Sequence, residues 1–156
     1  MGYDTKYYGR LEIGPTPLPR SLREEIQRNS DNEHREGNGP DGKPIYPGIH
    51  CDFTVTNDGT SIVWNGSEKT YNGVEWINWI IFQYLFPNGY TLTGHLDAQG
   101  ADSDDVWRLM IRRSGGRDIA YRQEATLVWE PVVAETPTVT VDQAVAALEQ
   151  ALKSVR

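Results

Sequence analysis

Residues 3–13 alternate in polarity, with Tyr7, Gly9, Leu11 and Ile13 on one side and Tyr8, Arg10 and Glu12 on the other. A period of two predicts a half-buried β-strand. Pro15, Pro17 and Pro19 then end it, because each removes a backbone donor. Ser21 and Glu24 have capping-box spacing, in which the hydroxyl accepts a free helix N–H and the acid reaches back to the cap. A short helix to about residue 28 is expected, anchored by Leu22 and Ile26. From 29 to 48 the chain is rich in Gly, Pro, Asn and charge, the pattern of a long mobile surface loop.

Alternation resumes at Cys51, Phe53 and Val55, breaks at Asn57-Asp58-Gly59, and returns at 61–64. Asp-Gly between two such runs predicts a hairpin, since glycine accepts the positive φ of the turn. Asn72 with Glu75 three residues on reads as a second cap. Behind it, Val74, Ile77, Ile80 or Ile81, and Tyr84 recur at helical steps, with Trp76 and Trp79 flanking the stripe. Pro87-Asn88-Gly89 stops this helix. Strands follow at 90–96 and 106–112, and Ser114-Gly115-Gly116 turns the chain into a last strand over 119–129. In that strand Ile119, Tyr121, Leu127 and Trp129 share the apolar parity, and Arg122, Glu124 and Glu130 the polar one.

These elements predict an α+β fold: a mostly antiparallel sheet of about five or six strands, helices packed on one face, and a C-terminal amphipathic helix. Residues 1–130 form one domain with 29–48 as its loop, and 131–139, rich in Pro, Thr and Val, form a linker. Thr140 and Gln143 open the terminal helix over 140–156, whose stripe is Val141, Ala144, Val145, Leu148, Leu152 and Val155.

Composition adds constraints on partners. A chain of 156 residues can bury a core without disulfide or metal staples. Its net charge of −7 opposes non-specific attraction to nucleic acid or anionic membrane. Cys51 is the one cysteine, which rules out an intramolecular disulfide and fits a reducing compartment. The apolar run 76–86 is shorter than the roughly 18 residues of a membrane span. With no signal-peptide pattern at the start, a cytoplasmic protein is expected.

Four patterns invite chemistry. Asp97, Asp102, Asp104 and Asp105 are crowded enough to suggest a hard cation, but lack the order of a calcium loop. A solvated acidic turn is the reading, with Asp102, Asp104 and Asp105 offered to a partner. His50 and Cys51 point to opposite faces of a strand, so they cannot share a site there, and Cys51 falls with the buried parity of Phe53 and Val55. No metal or cofactor and no catalytic set is assigned. Arg108, Arg112, Arg113, Arg117 and Arg122 mark a basic ribbon, read as a solvated, salt-bridged face; direct nucleic-acid binding is not expected. Glu68, Lys69 and Tyr71 sit between a strand and a helix start, where free N–H groups can receive a phosphate or carboxylate. This junction is the place expected for any small ligand.

The block Asp58–Gly66, then Glu68, Lys69 and Tyr71, Val74-Glu75-Trp76, 86–92 and Gln99-Gly100, with the Met1-Gly2-Tyr3 start, resembles a family of uncharacterised proteins of bacteriophages, prophages and bacterial genomes. The likeness covers residues 50–112 and the first dozen. It departs at the long loop, at Ser67 where a second glycine is usual, and at the added terminal helix. The resemblance carries no catalytic residues. It implies a phage accessory protein in the host cytoplasm that binds a host or defence protein without catalysis. The apolar stripe of the added terminal helix can dock on the body, on a second copy or on a partner, and Val145, Leu148 and Leu152 are expected to serve the partner or the second copy. The alternative is a module or enzyme for a nucleotide-like ligand at the Glu68–Tyr71 junction.

Overall fold

A computed structural model describes residues 4–35, 39–42, 45–125 and 141–154. The expectations placed on the first three residues, on 126–140 and on Val155 lie outside them. The chain forms two compact units, Met1–Ala125 and Thr126–Arg156.

Six strands build the first unit: β1 (Thr5–Gly14), β2 (Phe53–Val55), β3 (Ser61–Trp64), β4 (Thr91–Gly100), β5 (Val106–Ser114) and β6 (Arg117–Glu124). They form one antiparallel sheet in the order β2-β3-β1-β4-β5-β6. With the helices α1 (Arg20–Asp31) and α2 (Gly73–Ile80), this is the expected α+β fold. α2 continues through a π turn at Ile81–Leu85 and a 3-10 turn at Phe86–Asn88, and Gly89 ends it at φ 81°. The second unit contributes α3 (Val141–Ser154). No helix among the described residues is long and apolar enough to cross a membrane.

The core joins Leu11, Ile62, Leu92, Leu96 and Leu109 of the sheet to Ile26 of α1 and to Trp76, Ile77 and Ile80 of α2. Trp76 therefore belongs inside the stripe it was expected to flank; it is fully buried, whereas Val74 and Tyr84 are half-buried. The π turn explains the change at the far end. Each residue turns the chain through a smaller angle than in an α-helix, so Leu85 reaches the core in place of Tyr84.

Neither expected cap forms. α1 starts at Arg20, which draws Ser21 into the first turn, and Glu24 pairs with Arg20 at 2.7 Å. Asn72 adopts the left-handed conformation (φ 57°, ψ 41°), and its side chain makes no cap bond. Its Nδ2 instead donates to the Pro47 carbonyl at 2.7 Å.

The parity of the last strand is also reversed. Cross-strand pairing sets Ala120 opposite Ile111 and Arg122 opposite Leu109, so Asp118, Ala120 and Arg122 share the helix-covered face. Ile119 and Tyr121 take the open face, paired with Arg112 and Met110. Neighbours decide the matter: Asn78 of α2 clamps Ala120, accepting its N–H at 2.7 Å and donating to its carbonyl at 3.0 Å.

The stretch 29–48 is more than a surface loop. α1 occupies its start, and His34 is buried, with its N–H donating to Ile49 O at 2.7 Å. The His34 ring lies 4.2 Å from Tyr46 and 5.5 Å from Trp76. The two aromatic residues give this polar segment an anchor that its composition conceals.

Candidate functional site

Where β1, β4 and β5 run side by side, Tyr7 pairs with Ala98 and Ala98 with Trp107. The small alanine between them leaves the two large rings in edge contact, centroids 5.7 Å apart. Phe53 meets Tyr7 from the other side at 5.2 Å. This aromatic row carries the Tyr7 hydroxyl to the first residue of α2, Gly73, whose missing side chain makes room for it.

A cleft of about 310 Å³ opens at this point, lined by Thr5, Tyr7, Thr70, Tyr71, Trp107 and Arg122 together with the first turn of α2. Thr5 is 8% exposed and Tyr7 5%, yet neither hydroxyl has a hydrogen-bond partner among the described residues. Thr70 is 4% exposed and its oxygen accepts from Trp64 Nε1 at 2.7 Å, which leaves its own O–H to donate. Among the described residues the N–H groups of Gly73, Val74 and Glu75 are unbonded, since the ladder begins at Trp76 N–H to Asn72 O, 2.9 Å, and no side chain caps the helix. Six donors thus belong to residues that line one cavity.

Charge around the cleft is mixed. Arg122 stacks 4.3 Å over Trp107, pairs with Asp105 at 3.3 Å and bonds Glu124. Glu75 lines the same cleft from the helix and makes no hydrogen bond or ion pair among the described residues. Burial first, then the nearby Glu75 charge, holds the Tyr7 hydroxyl well above the ordinary tyrosine range, so it stays a neutral donor.

Of the junction residues picked from sequence, Tyr71 lines the cleft; Glu68 and Lys69 are exposed on the preceding turn and do not. Thr5, Tyr7, Trp107 and Arg122 were missed as site residues. The alternation around Tyr7 signals only a strand face, and the polar parity expected for β6 puts Arg122 on the open face, whereas pairing with Leu109 puts it on the covered one. Gly73 carried the available signal: a glycine opening a helix marks a close approach by another group.

The other candidates resolve differently. Asp97 lies not in the β4–β5 turn but on β4, where it pairs with Arg108 of β5 at 2.8 Å; in the turn itself Asp105 faces Arg122, and Asp102 and Asp104 are exposed. Among the described residues no three His, Cys, Asp or Glu side chains gather as metal ligands. The arginines of the ribbon all have company: Arg113 lies 3.5 Å from Asp118, Arg117 sits 4.1 Å over Phe82, and Arg112 5.1 Å over Tyr121. Cys51 is fully buried, and burial pushes its thiol up to about 11.

A second, more apolar groove of about 520 Å³ runs along the outer side of α2, between Ile45, Tyr46 and Pro47 and the side chains of Trp79 and Phe82. Ile45 and Phe82 are exposed there. On α3, Val145, Leu148 and Leu152 are exposed as well. No family model, curated protein or solved structure matches this chain.

Proposed function

We propose that this protein is a binding module for a small polar ligand, held in the cleft at the start of α2. One observation carries the reading: the Thr5 and Tyr7 side chains are more than nine-tenths buried, yet their hydroxyls have no hydrogen-bond partner among the described residues and line a cleft with a helix start that no side chain among them caps. Neither hydroxyl oxygen is sealed from the cleft, so water can meet both, and a ligand that replaces this water can accept hydrogen bonds from them in its place. Aromatic walls with a few converging polar groups are the usual make-up of small-molecule sites. The test is a fragment screen on the full chain, read through backbone amide resonances. Hits should move Gly73, Val74 and Glu75 and lose affinity in Tyr7→Phe. Hits that all map elsewhere would sink the reading.

The groove beside α2 favours a second reading, in which the protein binds another protein. Trp79 and Phe82 are the large, partly wet aromatics that anchor protein contacts. With the likeness to phage and prophage proteins, the partner would be a host or defence protein met in the host cytoplasm. The exposed stripe of α3 would join that partner or a second copy, and Asp102, Asp104 and Asp105 would add an acidic rim. Capture from host lysate by wild type, but not by Phe82→Asp, supports this reading; equal capture by both removes the groove from it.

A further inference from the structure

We infer that the cleft at the start of α2 takes a free α-amino acid, with its carboxylate on the helix N–H groups and its ammonium on Glu75. The inference rests on the reading of this cleft as a ligand site and adds the class of the ligand.

The donor inventory sets the first half. Gly73, Val74 and Glu75 offer fixed N–H groups, and the hydroxyls of Thr5, Tyr7 and Thr70 converge with them. N–H groups at a helix start favour an anionic oxygen. The Tyr7 hydroxyl touches the space above Gly73, so the same oxygens can meet the helix and the tyrosine together.

The local charge decides the second half. One guanidinium, Arg122, stands here with three carboxylates: Asp105 and Glu124, which it already contacts, and Glu75, which is exposed at the cleft and makes no ion pair among the described residues. A phosphate dianion would add to that excess of negative charge. A lone carboxylate would satisfy the donors but add its own negative charge beside Glu75, which is exposed and solvated. A zwitterion brings no net charge, and its ammonium can pair with Glu75, which has no ion pair among the described residues. Tyr71 and Trp107 remain as walls for an apolar side chain. The cavity of about 310 Å³ is near the lower bound of the roughly 300–1,000 Å³ typical of ligand pockets, which suits a molecule of this size.

The experiment uses the full chain and four probes tested singly: L-leucine, 4-methylpentanoate (leucine without the ammonium), 3-methylbutylamine (leucine without the carboxylate) and inorganic phosphate. L-leucine should move the amides of Gly73, Val74 and Glu75 and bind at least tenfold more tightly than the other three. Tyr7→Phe should weaken it several-fold. Glu75→Gln should bring leucine and 4-methylpentanoate to equal affinity while leaving the latter no weaker. If phosphate or 4-methylpentanoate matches leucine on the wild type, the zwitterion is wrong and the ligand site stands. If no probe moves these amides, the amino-acid inference is overturned, and the fragment screen separately decides whether the cleft binds anything. Leucine binding that is indifferent to both variants places it elsewhere and also overturns the inference.

Discussion

The Tyr7 hydroxyl occupies the space that a Cβ on Gly73 would fill; the phenol oxygen and its ring carbon would both lie inside contact distance of it. One strand and one helix are thereby locked at a single point, and the point is also the floor of the cleft. Gly73→Ala should destabilise the fold by about 1–3 kcal/mol through overpacking, despite the better helix propensity of alanine. Tyr7→Phe alone should cost little, because the lost hydroxyl has no partner. The double variant should be more stable than the sum of the two predicts, since the offending oxygen is gone. Urea unfolding followed by tryptophan fluorescence reads all three, and strict additivity would refute the contact.

Asn72 holds the turn before α2 in a left-handed conformation and donates to Pro47. Two costs can be separated here. Asn72→Gly keeps the conformation and loses the hydrogen bond, for about 1 kcal/mol. Asn72→Ala loses the bond and also incurs roughly 1–2 kcal/mol of backbone strain. Alanine should therefore destabilise more than glycine in the same urea assay. The opposite order would mean that the left-handed turn is not what Asn72 supplies.

Much of the fold was legible because strands and helices announce themselves through period. The alternation of residues 3–13 became β1, the Asp58-Gly59 turn joined β2 to β3, and the Gly-Gly turn joined β5 to β6. What failed had no local cause. Ile119 and Tyr121 are more apolar than Ala120 and Arg122, yet Asn78 of α2 clamps Ala120 and fixes the opposite face inward. His34 and Tyr46 looked like loop residues because their partner, Trp76, is far along the chain. The cleft was half visible. Tyr71 and the helix start follow from sequence, whereas Tyr7 and Arg122 arrive through sheet pairing that no spacing reveals.

The α3 stripe tests the protein-binding reading. Val145, Leu148 and Leu152 stand exposed on a helix of 14 residues, and isolated helices shorter than about 12–15 residues are marginal in water. A second copy or a partner would give this face a surface to bury. Wild type should show a mass in solution that rises with concentration, and Leu148→Glu combined with Leu152→Glu should hold it at the monomer value. A wild type that stays monomeric at every concentration would refute self-association through this stripe.

Alkaline pH should weaken the fold through two buried acids. Burial pushes the Cys51 thiol from 9.0 up to about 11, and it holds the Tyr7 hydroxyl above its ordinary range as well. For each group the folded chain keeps the proton that the unfolded chain gives up, so the unfolded state releases more protons as pH rises. Stability from Cys51 is therefore full below about pH 9 and drains away between there and about 11, with Tyr7 extending the loss further upward. The urea midpoint should be flat on the neutral side and fall across that window. Cys51→Ser would confuse the reading by burying a new polar group, so Cys51→Ala is the control, and its curve should start to fall at higher pH than wild type. The thiol should also resist alkylation at pH 8 in the folded protein and react once urea unfolds it. Rapid alkylation of the native chain would show that Cys51 is not sealed in the core.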